Sequence, residues 1–233
     1  MSFHAPFLFL PGLLCDAALW AHQTANLADI CAPKVVELPA RRSITAIAEA
    51  ILAKAPRRFA LAGLSMGGFV ALEMMRLEAD RITKLALVAT SARPDSMEQT
   101  ETRRRLMKLT EQGKFKGVTP RLLPTLVHAK HLEGSVADTV FAMAERIGME
   151  TFLMHEEAII GRRDQRPLLP KIQCPSVVIV GADDQRSPPE LAHEMANGIP
   201  GALLHELPQC GHLPPLEEVE KTTAILRAFI SQS

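Results

Sequence analysis

The chain has 233 residues, 47% of them hydrophobic, and its 26 Lys and Arg residues balance its 26 Asp and Glu residues. This length and composition predict a folded protein with one large α/β domain or two small ones, and they argue against a disordered chain. The balanced charge and the lack of an apolar run of about 20 residues favour neither a nucleic-acid partner nor a membrane partner.

The segment from Phe7 to Trp20, FLFLPGLLCDAALW, allows three interpretations. These are the apolar part of a secretion signal, a lipoprotein site ending at Cys15, and the first strand and loop of a cytoplasmic enzyme. A signal needs a positively charged start, and residues 1–6 contain no Lys or Arg. The apolar run is interrupted by Pro11-Gly12, and Leu14 stands where a lipoprotein site needs a small residue. We therefore predict a strand and a loop in a cytoplasmic protein.

Short apolar runs alternate with helical patterns along most of the chain. The runs predicted as strands are Phe7–Leu10, Lys34–Leu38, Phe59–Leu64, Lys84–Thr90, Ser176–Gly181 and Ala202–Leu207. The helical patterns between them are Ala17–Asp29, Ile44–Ala53, Met66–Glu78, Pro189–Ala196 and Glu217–Ile230. Nearly continuous apolar strands are typical of a parallel sheet that is covered on both faces. The alternation predicts an α/β fold with a doubly wound, mostly parallel sheet of about six strands.

The alternation stops in the middle of the chain. Four helical patterns follow one another there: Met97–Gln112, Arg121–His128, Val136–Ile147 and Met149–Ile160. We predict that residues 93–170 form a helical cap inserted into a core made of residues 1–92 and 171–233. A separate four-helix bundle is the alternative, and it would need longer linkers than the few residues at each junction.

The sequence Gly63-Leu64-Ser65-Met66-Gly67 joins a predicted strand to a predicted helix. A serine on such a sharp turn has a strained backbone, and the residues two before and two after it crowd each other unless both are glycine. The turn would expose the Ser65 hydroxyl and leave the Met66 N–H free at a helix N-terminus, where it can stabilise an oxyanion. The alternative is a plain glycine-rich turn in which Ser65 caps the helix.

A serine nucleophile needs a base, and the base needs an acid that orients it. Asp183 and Asp184 follow the strand Ser176–Gly181, and His212 follows the next strand. Because parallel strands end at one edge of the sheet, we expect these groups to lie near Ser65. The order of serine, acid and histidine along the chain is the one described for α/β-hydrolases.

Three motifs make the sequence resemble the α/β-hydrolase superfamily over essentially the whole chain. They are Gly63–Gly68, Gly181–Asp184 with Pro188, and Cys210–His212. The G-x-x-D-x-x-x-P pattern of relatives implies that Asp184 is the acid of a catalytic triad with Ser65 and His212. Asp183 is the second candidate, and Asp95 is the candidate in relatives that place the acid one strand earlier.

The resemblance also gives the first strand a role. Relatives carry His-Gly-x after this strand, and the N–H of the residue after the glycine is the second oxyanion donor. Here Pro11-Gly12-Leu13 occupies that position, so the resemblance implies an oxyanion hole made by Leu13 and Met66. Pro11 departs from the family pattern, but the donor required is Leu13. Two further departures are the absence of an N-terminal hairpin of strands and a short loop at residues 37–43.

Other reactive side chains fit structural roles better than chemical ones. The four cysteines form no CxxC pair, so we predict reduced thiols, no disulfide framework and no zinc. His128 and His131 belong to no complete metal motif, and no metal is predicted. Residues 103–105 and Arg162-Arg163 could hold a substrate carboxylate, although a solvated helix face is the default for such a run.

The resemblance implies a serine hydrolase that cleaves small, largely apolar carboxylic esters through an acyl-enzyme, without a cofactor. We expect substrate contacts at Leu14, Phe141 and Phe152. The enzymatic alternatives are a lactonase similar to the 3-oxoadipate enol-lactonases and an acyl thioesterase. A small-molecule receptor on a hydrolase fold is the alternative from another class. The sequence predicts neither the acyl chain length nor the oligomeric state.

Overall fold

A six-stranded sheet forms the centre of the protein. The computed structural model describes residues 5–114 and 117–232. The strands follow the order β2-β1-β3-β4-β5-β6, and every neighbouring pair is parallel. Their bounds are Pro6–Leu10 (β1), Ala32–Val35 (β2), Phe59–Leu64 (β3), Ile82–Val88 (β4), Ser176–Gly181 (β5) and Leu203–Leu207 (β6). The predicted fold class, a doubly wound parallel sheet of about six strands, is confirmed.

Helices connect the strands. They are α1 (Ala21–Asn26), α2 (Ile44–Leu52), α3 (Met66–Glu78), α4 (Met97–Leu109), α5 (Ser135–Ile160), α6 (Pro189–Gly198), α7 (Pro214–Glu217) and α8 (Val219–Ser231). Short 3-10 turns occur at Ala17–Trp20, Ala79–Arg81, Leu123–Thr125, Ala129–His131 and Arg166–Lys171, and a π-helical turn occurs at Thr110–Lys114. None of the helices in the described part of the chain is long and apolar enough to cross a membrane.

Both faces of the sheet are covered, which explains the continuous apolar strands. Successive side chains of a strand point to opposite faces. In β1, Leu8 and Leu10 belong to the cluster packed with α2, α3 and α6. Phe7 and Phe9 belong to a second cluster, which contains Trp20 and side chains of α8. The central strands therefore need apolar residues at nearly every position rather than at alternate ones.

The C-terminal ends of the strands lie side by side at one edge of the sheet. The register places Leu64 beside Val88 and Val88 beside Ile179. Gly181 lies beside Leu207 on the next pair of strands. The loops that follow β1, β3, β5 and β6 consequently meet at this edge, where ligands bind in open parallel sheets.

The segment between β4 and β5 is helical and packs against one face of this edge. Val140, Met143 and Phe152 of α5 are buried in the same hydrophobic cluster as Val88 of β4. The backbone leaves the helical conformation at Gly148 (φ 74°, ψ 175°), the residue that separates the two helices predicted there. The assignment of residues 93–170 as a separate cap remains a prediction.

Two of the differences from the predicted elements have a clear physical reason. The helix predicted at residues 121–128 is wrong, because this region contains only short 3-10 turns. Pro120 and Pro124 lack the N–H groups that a regular helix needs there. The strand β4 ends before Thr90, since Ala89 has a positive φ of 45° that an extended strand cannot adopt.

Candidate active site

Ser65 stands on a strained turn between β3 and α3. Its backbone has a φ of 53° and a ψ of −113°, a conformation that costs free energy for any residue with a side chain. Two hydrogen bonds hold the turn: the Ser65 N–H donates to the Val88 carbonyl at 3.0 Å, and the Thr90 hydroxyl donates to the Ser65 carbonyl at 2.7 Å. The backbone of Ser65 is therefore tied to the neighbouring strand, while its side chain lines a cavity.

The two glycines that flank Ser65 allow this turn for steric reasons. A Cβ atom on Gly63 would overlap the backbone of Gly67, and a Cβ atom on Gly67 would overlap the carbonyl groups of Leu10 and Pro11. The second overlap shows that the turn packs closely against the end of β1 and the loop after it. The G-x-S-x-G spacing thus reflects close backbone packing between β1, β3 and α3.

Asp184 and His212 form a buried hydrogen-bonded pair. The Nδ1 atom of His212 lies 3.0 Å from Oδ1 and 2.9 Å from Oδ2 of Asp184, and the two residues are only 5% and 3% exposed. Oδ1 also accepts the N–H groups of Arg186 at 2.8 Å and Ser187 at 2.9 Å. An ionised carboxylate only accepts hydrogen bonds, so Nδ1 carries the proton and Nε2 remains an acceptor.

Glu217 holds the loop that carries His212, and the sequence analysis did not single it out. Its carboxylate is 6% exposed and accepts the N–H groups of Gly211 and Leu213, each at 2.9 Å. It also accepts the His128 N–H at 2.7 Å. The two residues flanking His212 are thus bound by one carboxylate. Its place five residues after His212 is the only sequence signal that could have pointed to it.

The loop after β1 passes over Ser65. A Cβ atom on Gly12 would lie 3.4 Å from the Cβ atom of Ser65. The N–H groups of Leu13 and Met66, the predicted oxyanion donors, form no hydrogen bond with another group in residues 5–114 and 117–232. The Leu10–Pro11 peptide bond is trans. Both donors are therefore free to bind a ligand.

A cavity of about 680 Å³ opens at this edge of the sheet, and Ser65 and His212 both line it. Most of its other wall residues are apolar and come from the strand loops and from the segment between β4 and β5. They include Leu13, Leu14, Phe69, Val118, Leu122, Leu126, Val140, Phe152, Leu191 and Leu213. Its size and lining suit a small, largely apolar molecule.

Two of the three predicted substrate contacts, Leu14 and Phe152, line this cavity, and Phe141 does not. Phe141 is half-buried and packs against the hydrophobic cluster of this face. Its neighbour Val140 takes the position that faces the cavity, and successive residues of a helix point about 100° apart. This corrects the prediction for Phe141.

The two other candidate acids are engaged elsewhere. Asp95 is buried and forms ion pairs with Arg103 at 2.7 Å and Arg162 at 2.6 Å. The side chain of Asp183 is 52% exposed, and its nearest cationic partner is the His128 ring at 3.9 Å. Of the three acids, only Asp184 contacts His212.

Cysteines and histidines near the cavity form no further reactive centre in the structure. Burial raises the pKa of the Cys15 thiol to about 12 and raises that of Cys210 further still, so both remain protonated near neutral pH. In the described ranges, no group of three or more His, Cys, Asp and Glu residues could hold a metal ion. Ser65 is therefore the nucleophile that the geometry favours.

The comparisons with known proteins agree with the fold. A model of the alpha/beta hydrolase family matches residues 7–224, so the chain belongs to this family. It is 27% identical over 225 residues to a pimeloyl-[acyl-carrier protein] methyl ester esterase of Chromobacterium violaceum, covering 89% of this chain and 87% of that protein.

Two solved structures are also similar. One is a thermophilic esterase from Thermogutta terrifontis with malate bound, which has a TM-score of 0.87 and 29% identity, over 98% of this chain and 90% of that one. The other is the enol-lactonase from Burkholderia xenovorans LB400, with a TM-score of 0.83 and 27% identity, over 98% and 92% of the two chains. These relatives are named as hydrolases of esters and lactones.

Proposed function

We propose that the protein is a serine hydrolase that cleaves small, largely apolar carboxylic esters. The observation that carries this proposal is the buried pair of Asp184 and His212 beside the same cavity as Ser65. A strained turn presents the serine, and a carboxylate fixes the histidine tautomer. The three side chains would then act together in nucleophilic acyl transfer.

The reaction would proceed through an acyl-enzyme. The Ser65 oxygen attacks the acyl carbon while the Nε2 atom of His212 takes the hydroxyl proton, and this proton then goes to the leaving alcohol. Asp184 stabilises the cationic imidazole through the Nδ1–H bond. A water molecule activated by His212 then hydrolyses the acyl-serine. Metal and cofactor have no part in these steps.

The N–H groups of Leu13 and Met66, which have no protein acceptor in the described residues, would stabilise the tetrahedral intermediate. The Met66 N–H lies at the start of α3, where the helix dipole adds to the attraction for negative charge. The Leu13 N–H comes from the loop that passes over Ser65. Removing one such donor from a comparable enzyme costs about 3–4 kcal/mol in transition-state stabilisation.

The apolar wall favours an ester with a hydrocarbon body, and residues 93–170 would serve as the cap that encloses it. A lactonase is the second candidate, since the Burkholderia xenovorans structure with 27% identity is that of an enol-lactonase. We propose a cytoplasmic enzyme without a cofactor. A panel of linear esters and lactones of equal carbon number separates the two activities.

The test is the release of nitrophenol from 4-nitrophenyl butanoate. The wild type should show an initial burst of about one equivalent per chain, as expected when an acyl-enzyme accumulates. Ser65→Ala should abolish both the burst and the turnover. Ser176→Ala is the matched control, because Ser176 is a buried serine at the opposite end of the strands. Equal turnover by Ser65→Ala and the wild type would overturn the proposal.

A further inference from the structure

More arginine side chains than carboxylate side chains line the cavity. Two of its arginines form a closed network inside it: Arg103 binds Asp95 and Glu156, each at 2.7 Å, and Arg162 binds Asp95 at 2.6 Å. Arg103 and Arg162 belong to the two arginine runs, residues 103–105 and 162–163, for which the sequence suggested a role in binding a substrate carboxylate. Since their charges are already neutralised by protein groups, they are poor candidates for that role.

Two further arginines at the rim of the cavity are also paired. Arg93 forms a bidentate contact with Glu194, and Arg166 forms one with Asp164. This leaves Arg105 and Arg186, whose guanidinium groups form no hydrogen bond or ion pair with any residue in the described ranges. Arg105 is exposed on α4, where water can solvate its charge.

Arg186 differs from Arg105 in its surroundings. It lies two residues after Asp184, and its N–H donates to Oδ1 of that residue, so its backbone is fixed beside the candidate triad. Burial lowers the pKa of the Arg186 guanidinium, and the nearby Arg103 cation lowers it further. Arg186 is exposed, as Arg105 is, and it lines the cavity. What distinguishes Arg186 from Arg105 is the backbone contact that places it beside Asp184.

The electrostatics leave a place for an anion. Glu156 and Asp184 attract the Arg186 cation at a distance, but neither forms an ion pair with it. A guanidinium that lines the cavity and has no ion-pair partner is available to bind a ligand carboxylate. The planar guanidinium binds a carboxylate through two parallel hydrogen bonds.

We propose that Arg186 binds a free carboxylate of the substrate, so that the preferred substrate is the half-ester of a dicarboxylic acid. This inference rests on the proposed esterase activity and narrows its substrate class. The ester group lies at Ser65, the hydrocarbon chain crosses the apolar wall, and the free carboxylate reaches Arg186. Ser65 directly follows β3, and Arg186 lies in the loop after β5, on the far side of β4. A hydrocarbon chain must therefore separate the ester from the free carboxylate, and the adipate half-ester provides one for the test.

The test compares 4-nitrophenyl hydrogen adipate with 4-nitrophenyl hexanoate, which has the same leaving group and six acyl carbons but no carboxylate. The wild type should have the higher kcat/KM with the adipate half-ester. Arg186→Gln should lower the ratio of the two kcat/KM values about tenfold or more, the size expected for losing a hydrogen-bonded charge pair. Arg186→Lys should retain part of the preference. Arg104→Gln is the matched control, since this arginine is exposed on α4 and does not line the cavity.

A binding measurement tests the role of Arg186 without relying on catalytic turnover. Adipate should bind to the wild type in a calorimetric titration, and Arg186→Gln should bind it about tenfold more weakly. If Arg186→Gln changes neither the kcat/KM ratio nor adipate binding, the inference is overturned. The proposed esterase function would still be supported in that case if hydrolysis of the hexanoate ester depends on Ser65. If neither ester is hydrolysed, the proposed function fails, and adipate binding alone decides whether Arg186 recognises carboxylates.

Discussion

At the scale of single residues, Asp184 has a role that its contacts define closely. One of its oxygens accepts two backbone N–H groups as well as facing His212, so the carboxylate can act only as an acceptor. The arrangement fixes the proton on Nδ1 of His212 and leaves Nε2 ready to accept the proton of Ser65.

This geometry makes a specific prediction for Asp184→Asn. The N–H groups of Arg186 and Ser187 need an acceptor, so the amide oxygen of the new side chain would take the place of Oδ1. The amide NH2 would then face Nδ1 of His212, and the imidazole proton would have to move to Nε2. A base that already carries a proton cannot accept one, and a comparable substitution in another triad lowers kcat by about 10⁴. We expect a loss of this order in ester hydrolysis, with a much smaller change in the free energy of unfolding.

Asp183→Asn is the control for this measurement, because its side chain is half exposed and does not contact His212. We expect Asp183→Asn to retain the wild-type kcat. A large loss of kcat in Asp183→Asn, together with an active Asp184→Asn, would show that Asp183 rather than Asp184 is the acid of the triad. Far-UV circular dichroism of each variant shows whether the loss comes from misfolding.

At the scale of structural elements, the loop between β6 and α7 owes its shape to Glu217. Both oxygens of this carboxylate accept backbone N–H groups, on Gly211 and Leu213, and the His128 N–H adds a contact to the segment between β4 and β5. The His212 N–H donates to the Leu126 carbonyl at 3.0 Å. The orientation of His212 is therefore set by contacts with a different part of the chain.

Replacing Glu217 by Gln tests this role. The amide NH2 cannot accept an N–H group, so at least one of the three donors would lose its partner, at a cost of about 1–3 kcal/mol in unfolding free energy. We expect kcat to fall with little change in KM, because the substitution displaces His212 and leaves the cavity wall intact.

Glu218→Gln serves as the comparison for Glu217→Gln. The Glu218 carboxylate forms ion pairs with Lys130 and Lys221 rather than with the backbone of residues 211–213. Its kcat should match that of the wild type. An unchanged kcat in Glu217→Gln would show that the loop does not depend on this carboxylate.

Some of the strands and helices could be predicted from the sequence, and some contacts between them could not. β3, α3 and β5 have the predicted bounds, because each is a continuous apolar run or a helix with clear ends. β2 is predicted at Lys34–Leu38, whereas the strand in the structure spans Ala32–Val35. It is an edge strand with exposed positions, so its apolar pattern is weak. No local pattern predicts the contact of Glu217 with His128 or the pairing of Arg103 with Glu156, since both join segments that are distant in sequence.

At the scale of the whole molecule, the segment between β4 and β5 shares a hydrophobic cluster with the sheet. Phe152 and Met143 of α5 are buried together with Val88 and Ile179 of the strands. The ion pairs among Asp95, Arg103, Glu156 and Arg162 hold parts of this segment to one another. We infer that this segment and the sheet stabilise each other rather than fold as independent units.

This coupling predicts a single unfolding transition in urea. The protein has one tryptophan, Trp20, which is fully buried on the sheet, so its fluorescence reports on the core. Far-UV circular dichroism reports on all helices, including the long helix α5. We expect the two signals to change at the same urea concentration. A circular dichroism transition that begins well before the fluorescence change would show that the segment unfolds separately.

The central claim is that Ser65 is the nucleophile, and covalent labelling tests it most directly. Trypsin cleaves after Arg58 and Arg76, and the peptide Phe59–Arg76 contains one hydroxyl side chain, that of Ser65. We predict that a fluorophosphonate adds once per chain, that mass spectrometry finds the adduct on this peptide, and that Ser65→Ala is not labelled. Failure of the wild type to form the adduct, or its appearance on a different peptide, would contradict the account.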